Sequence, residues 1–255
     1  MLPLDGCNVY AFPGDNHTVA IAIGRHPQDQ ALSAVRSPAA FDAAVAAVPL
    51  LAGFVRPDVT EPVSAVHVMA GIRATFRRMA PQGRPLFHGL IPIGDALATT
   101  NPAYGRGLAL ALTHAEVVTE ALGHVGATRT SAAPELAARV LPRLDALTFP
   151  VWYDAYRHDG MRIDQWRRTL GLPEVARSES RPWLPLSLAA AGARVDAQVF
   201  IRMLRAMQLL DRPDQFFGDL DLIDQLPGMV GAPMPLPTRS DLVAAVEGDP
   251  LQAVG

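Results

Sequence analysis

The chain contains no lysine: all 22 of its basic residues are arginine. Without an ammonium side chain it cannot supply a phosphate-loop lysine, a Schiff-base lysine or a catalytic amine, so P-loop nucleotide hydrolysis, pyridoxal-phosphate chemistry and class I aldolase chemistry are excluded. Cysteine is nearly as scarce. The single Cys7 permits no internal disulfide and no cysteine-based zinc site, and no cationic or histidine neighbour in sequence marks it as a nucleophile. No run reaches the roughly 18 uninterrupted apolar residues of a membrane helix, and MLPLDGCNVYAF lacks the basic-then-apolar order of a secretory signal, so the expected location is cytoplasmic. Charge is sparse as well. Charged residues make up 18% of the chain, the formal net charge is −3, and arginines are adjacent only at Arg77/Arg78 and Arg167/Arg168, which argues against a nucleic-acid surface.

What is present is a globular composition: 255 residues, 49% hydrophobic, with 20 glycines and 23 prolines as punctuation. Residues 8–24 read NVYAF-PGDN-HTVAIAIG, two β-favourable runs around a Pro-Gly-Asp-Asn turn, which predicts a hairpin. Val19, Ile21 and Ile23 alternate with alanines, giving one bulky face and one small face against which something is expected to pack closely. Ser37-Pro38 offers an N-cap with proline at the first helical position, and Phe41, Val45, Val48 and Leu51 follow at helical spacing, predicting a helix that ends near Gly53. Residues 63–78 are β-branched in their first half and read as strand leading into strand, with Gly71 as a bend. Residues 87–93 (FHGLIPI) read as a short buried strand, followed by a glycine-rich loop and a helix over 108–123. The remainder is helical in pattern over 135–147, 151–170 and 195–210. Prolines at 182, 185, 213, 227, 233, 235 and 237 make the C-terminal tail a poor helix.

The stretch His88–Ala115, HGLIPIGDALATTNPAYGRGLALALTHA, carries the most chemical information. A strand delivers Asp95 at its end, where a carboxylate can accept hydrogen bonds from sugar or polyol hydroxyls. Pro102 stiffens the loop that follows. Gly105 and Gly107 let backbone approach a ligand closely, and the free N–H groups and positive dipole end of the helix beginning near Leu108 suit an electron-rich carbonyl or a phosphate. This architecture fits a large polar cofactor with an aromatic ring.

The same stretch resembles the second FAD-binding motif of the flavin-dependent aromatic hydroxylases and their relatives, the flavin-dependent halogenases and the geranylgeranyl reductase group. That pattern is Gly-Asp, six residues, Pro, two residues, Gly, one residue, Gly, and Gly94, Asp95, Pro102, Gly105 and Gly107 fall in register with it. The resemblance implies that Asp95 hydrogen-bonds the ribityl chain of FAD, that Pro102 lies near the isoalloxazine ring, and that the 105–107 turn, with Arg106 inside it and Leu108 opening the helix, stabilises negative charge at the flavin pyrimidine. It also implies NAD(P)H as reductant, a small organic substrate, and a substrate-domain sheet of which the 8–24 hairpin is part.

Two positions depart from the family pattern: Ala98 stands where histidine is common, and Ala109 where asparagine is common. No Gly-x-Gly-x-x-Gly fingerprint is found, although the family opens with one inside a βαβ unit of about 30 residues. The chain is therefore expected to be the C-terminal part of a flavin-dependent monooxygenase-like oxidoreductase, a mixed α/β protein. Its expected parts are a substrate-domain-like antiparallel sheet with one helix (1–85), a partial FAD-binding segment of strand, Gly-Asp loop and helix (86–127), and a helical C-terminal region (128–255). The alternatives are a non-catalytic remnant or partner subunit of a flavoprotein, and a halogenase or reductase of the same superfamily. Either a second copy of the chain or a further N-terminal segment is expected to cover the edges of its sheet.

Other features have plainer readings. The histidines at 17, 26, 67, 88, 114, 124 and 158 show no metal-binding spacing, and His67 reads as a core or sheet-face residue. No Gly-x-Ser-x-Gly elbow supports a hydrolase. Asp219, Asp221 and Asp224 read as a solvated helix edge, and Trp152, Tyr153 and Tyr156 as a packed helix face. Arg25, Arg73 and Arg77 are candidates for charged ligand groups. Tyr104 and Arg106 face either substrate or solvent, and no catalytic acid or base is singled out.

Overall fold

The computed structural model describes residues 2–125, 132–175, 181–231 and 236–248. It is mixed, with small antiparallel sheets and a larger helical part, so α/β holds in the coarse sense. Contacts divide the chain into two compact units, 1–70 with 161–179 and 232–255, and 71–160 with 180–231. This division follows contacts between distant stretches and does not run in the sequential order of the three parts expected from sequence.

In the first unit, strands β1 (Leu2–Pro3), β2 (Cys7–Pro13) and β3 (Val19–Arg25) form one antiparallel sheet in chain order. The hairpin lies where its turn chemistry predicts, with Cys7 opposite Arg25 and Pro13 opposite Val19. Asn16 and His17 both adopt positive φ in the turn. The face assignment is reversed, however. Ala20 and Ala22 are exposed, while the bulky Ile21 and Ile23 pack against a core of Leu4, Cys7, Val9, Leu32, Val45, Val48, Leu51 and Leu242. Burying the branched side chains removes more apolar surface from water than burying alanines does, so the bulky face wins the core.

Helix α1 (Pro38–Ala46) starts as read, with the Ser37 hydroxyl accepting from the Ala40 N–H. It ends earlier than Gly53, and a 3-10 turn at Ala52–Val55 carries the apolar pattern onward. The C-terminal helix of the chain corrects the expectation of a poorly helical tail: Arg239–Glu247 is helical and opens with a capping box between Thr238 and Asp241. Pro233 and Pro235 lie outside the described residues.

Cys7 is fully buried in this core, and its thiol is pushed up to about 12 by burial, reinforced by the charges of Asp29 and Asp5 against that of Arg239. A thiol this far from ionising is a poor nucleophile. The native protein is expected to resist a thiol-disulfide reagent such as dithionitrobenzoate and to react fully once unfolded in urea. Rapid labelling without denaturant would show instead that the β2–β3 hairpin opens readily.

In the second unit, β4 (Thr75–Phe76) and β5 (Ala98–Thr99) form a minimal antiparallel pair. Helix α2 is Gly107–Val125, and α3 is Ala133–Thr169, whose residues to Gly160 belong to this unit. The two helices expected at 135–147 and 151–170 are one, running through Pro142 and Pro150. Proline removes one helical hydrogen bond, and aromatic packing around Pro150 offsets that loss: Phe149 stacks on Tyr153 across the proline at 5.5 Å, and beyond it Trp152 stacks on Tyr156 at 5.3 Å, so that Trp152, Tyr153 and Tyr156 form a packed face. The helix read at 195–210 is α5 (Ala197–Met207), which starts where Asp196 accepts with its carboxylate from the Gln198 and Val199 N–H groups, and a further helix that the sequence reading does not include, α4 (Leu186–Val195), precedes it. Helices α6 (Pro213–Phe217) and α7 (Leu220–Met229) follow, and α8 is the Arg239–Glu247 helix of the first unit. Asp221 and Asp224 lie exposed on α7, as read, while Asp219 caps it.

The strands expected over 63–78 and 87–93 reduce to Thr75–Phe76 alone. Residues 87–90 are exposed, Met69 is 73% exposed, and His67 is exposed where a core or sheet-face position was expected. A β-favourable run becomes a strand only when a neighbour completes its hydrogen bonds, and among the described residues none pairs with either segment beyond β5.

Candidate functional site

The second unit holds all seven residues singled out from the motif. Gly94 opens a 3-10 turn (Gly94–Ala96) with φ +54, and a Cβ there would meet the Ala111 side chain of α2 at 3.3 Å. Both the backbone angle and the close approach to the helix call for glycine. Asp95 follows, exposed. Its carbonyl accepts from Arg77 Nη1 and from Thr99 Oγ1, both at 3.3 Å, so the backbone of the turn is clamped while the carboxylate stays open. The candidate ligand-binder Arg77 thus supports the turn. Arg25, in the first unit, is likewise committed to backbone, donating to the carbonyls of His26 and Asp29.

Asn101 then caps a short 3-10 turn, Pro102–Tyr104, with its Oδ1 accepting from the Ala103 N–H at 2.9 Å. Pro102 is exposed at the head of that turn. Gly105 takes φ +66 to leave it, and a Cβ on Gly105 would meet nothing within 4 Å, so that side of the loop is open. Gly107 begins α2, and the nearest atom to a Cβ placed there is Asp95 Oδ1, at 3.9 Å. The fold therefore brings the Gly-Asp carboxylate to the amino end of the Gly-x-Gly helix, although the two lie twelve residues apart. The first N–H groups of that helix, at Gly107, Leu108 and Ala109, have no intrahelical acceptor, and the Leu108 side chain is 74% exposed. A carboxylate, several free N–H donors and a dipole end share one accessible corner.

Arg106 was expected at the ligand, but its side chain is fully buried and points the other way. Its Nη1 pairs with Asp154 Oδ2 and its Nε donates to the Met207 carbonyl at 3.2 Å. Burial alone pushes the Asp154 carboxyl up, but His158, with Nε2 at 3.2 Å, and Arg106 outweigh it and hold it below the usual carboxylate range. Tyr104 is buried as well, its hydroxyl 3.1 Å from Asp159 Oδ1, and Asn101 Nδ2 donates to the same oxygen at 2.8 Å. The polar side chains of the loop are thus spent on fastening it to α3, and its backbone and Asp95 are what remain available.

Sequence reasoning did not single out Asp154 or Asp159, and it read His114 and His158 only as histidines without metal spacing. The usable signal was polar residues interrupting an otherwise apolar helix face: Asp154 and His158 are one turn apart on α3, and His114 shares the buried face of α2 with Leu110, Val117 and Ala121. Among the described residues no group of three or more histidine, cysteine or carboxylate side chains could hold a metal ion, and no helix is long and apolar enough to cross a membrane.

Comparison with protein-family models, with curated proteins and with solved structures finds no match for the chain.

Proposed function

We propose that the chain binds FAD at the 94–108 segment and serves a flavin-dependent oxidoreductase of the aromatic-hydroxylase type, acting on a small organic substrate with NAD(P)H as reductant. The observation that carries this reading is the approach of Asp95 Oδ1 to Gly107 at the open start of α2, with left-handed glycines at 94 and 105 on either side of Pro102. Asp95 would accept hydrogen bonds from the ribityl hydroxyls. Pro102 would lie beside the ring, and the N–H groups of Gly107 and Leu108 would face the pyrimidine carbonyls, where negative charge collects on reduction. Bound FAD would supply the electron transfer and oxygen chemistry, and the protein would supply orientation and this electrostatic support.

Titrating the protein with FAD and following flavin fluorescence and visible absorbance tests the reading. Asp95→Ala is expected to weaken binding roughly ten- to hundredfold, the loss of a charge-assisted hydrogen bond. Its thermal midpoint should match that of the parent, because the Asp95 carboxylate is exposed. A parent protein that leaves free flavin fluorescence unchanged at all concentrations sinks the assignment.

A further inference from the structure

His114 is completely buried on α2, and both of its ring nitrogens are engaged. The Gly94 N–H donates to Nδ1 at 3.0 Å. Nε2 lies 2.8 Å from Thr148 Oγ1, and the Thr148 hydroxyl already donates its one hydrogen to the Leu144 carbonyl at 2.6 Å. Thr148 can therefore only accept from the ring, which places the imidazole hydrogen on Nε2 and leaves Nδ1 bare for Gly94. Neighbours on both sides select this one tautomer, and it hangs the Gly-Asp turn from helices α2 and α3.

We propose that His114 is a positioning residue for the Gly94–Asp95 turn, holding it only while the imidazole is neutral, so that capture of a ligand by Asp95 is lost on acidification. Adding a proton to Nδ1 sets two donors against each other at the Gly94 contact and places a charge in a fully buried position. Among the described residues no carboxylate acts on the ring to compensate. On the turn itself Asp95 is exposed, and neighbouring Arg77 donates to the turn carbonyls. On α3, Asp145 is occupied by the Met79 and Ala80 N–H groups, and Arg143 pairs with Glu120 of α2. Glu116, two residues on along α2, is exposed, whereas the His114 ring is fully buried.

Burial accordingly pushes His114 below its ordinary value. The sign follows: the native contact contributes fully above the ordinary histidine pKa of about 6.5, and the contribution is lost as pH falls through the lower native value.

The part of this inference that concerns ligand capture rests on the FAD reading; the His114–Gly94 contact does not, and the experiment separates them. Long-range 15N–1H spectra of the full chain at neutral pH should show a pyridine-like Nδ1 and a pyrrole-like Nε2, with the Gly94 amide shifting together with the ring as acid is added. FAD affinity should fall roughly tenfold per pH unit below the native His114 pKa. His114→Asn, which keeps an acceptor at the Nδ1 position but does not titrate, should bind as the parent does at neutral pH and show a flat profile. His114→Ala should bind weakly throughout. A protonated Nδ1 at neutral pH, or a Gly94 amide indifferent to the ring's titration, overturns the proposal, as does an unchanged pH profile in His114→Asn. If no FAD binds at any pH, the flavin reading fails alone, and the ring and Gly94 signals still decide the role of His114.

Discussion

Arg106→Ala is expected to destabilise the protein by about 3–5 kcal/mol, the characteristic cost of stranding one member of a buried ion pair. The Arg106 and Asp154 side chains are 1% and 0% exposed, so removing the guanidinium leaves a carboxylate that water does not reach, with only the His158 ring beside it among the described residues. The same change takes away the donor to the Met207 carbonyl and the cation lying 5.5 Å from the Tyr104 ring centroid. Urea denaturation measures the loss. Replacing both partners, with Arg106→Met and Asp154→Leu together, should recover much of it, because the penalty comes from the unpaired charge and not from any large net worth of the pair. Single variants within about 1 kcal/mol of the parent would mean that the loop is not anchored through this pair.

Arg239→Ala should have the second largest effect, in the first unit. Arg239 holds Asp29 through two hydrogen bonds of 2.7 Å and so ties α8 to the loop that follows β3. Asp29 is fully buried, whereas the Arg239 side chain is 21% exposed, so partial screening lowers the expected cost to about 2–4 kcal/mol. The pH dependence identifies the cause. Burial pushes the Asp29 carboxyl up, but the hydrogen bonds from Arg239 and from the Leu32 N–H, with the charges of Arg239 and Arg25, outweigh it and hold it below the usual range. Its contribution is therefore complete above about pH 3.9 and is lost as pH falls through the lower native value. Without Arg239 the part of that contribution that depends on it is already missing at neutral pH, while the Leu32 N–H and the Arg25 charge remain. The gap between parent and variant in thermal or urea midpoints should consequently narrow on acidification, and a gap that stays constant to low pH would falsify the assignment to Asp29.

Both effects involve partners that no local reading connects: Arg106 and Asp154 are 48 residues apart, and Arg239 and Asp29 are 210 apart. What the sequence made legible was short in range. The β2–β3 hairpin follows from its turn residues and alternation, the start of α1 from Ser37 and Pro38, and the extent of α2 from a long alanine- and leucine-rich run after Gly107. The spacing of Gly94, Asp95, Pro102, Gly105 and Gly107 was legible in the same way, since each is a local backbone requirement. The run at 87–93 was apolar enough for a strand but lacks a partner, and a ladder is a property of two segments. Pro150 looked like a boundary, yet α3 continues through it because aromatic side chains on both sides pack together.

The sequence by itself determined the turns, the caps and the glycine positions that let a Gly-Asp turn and a helix start adopt their shapes, because backbone sterics and capping act over a few residues. Only the tertiary structure decided which side chains face the open corner. Burial turned Arg106 inward to Asp154, tied Tyr104 and Asn101 to Asp159, and set His114 beneath Gly94, so that Asp95 and the bare N–H groups of α2 remain exposed. The reason is energetic: a charged or polar group leaves water only when a partner in the fold receives it, and those partners lie on another helix.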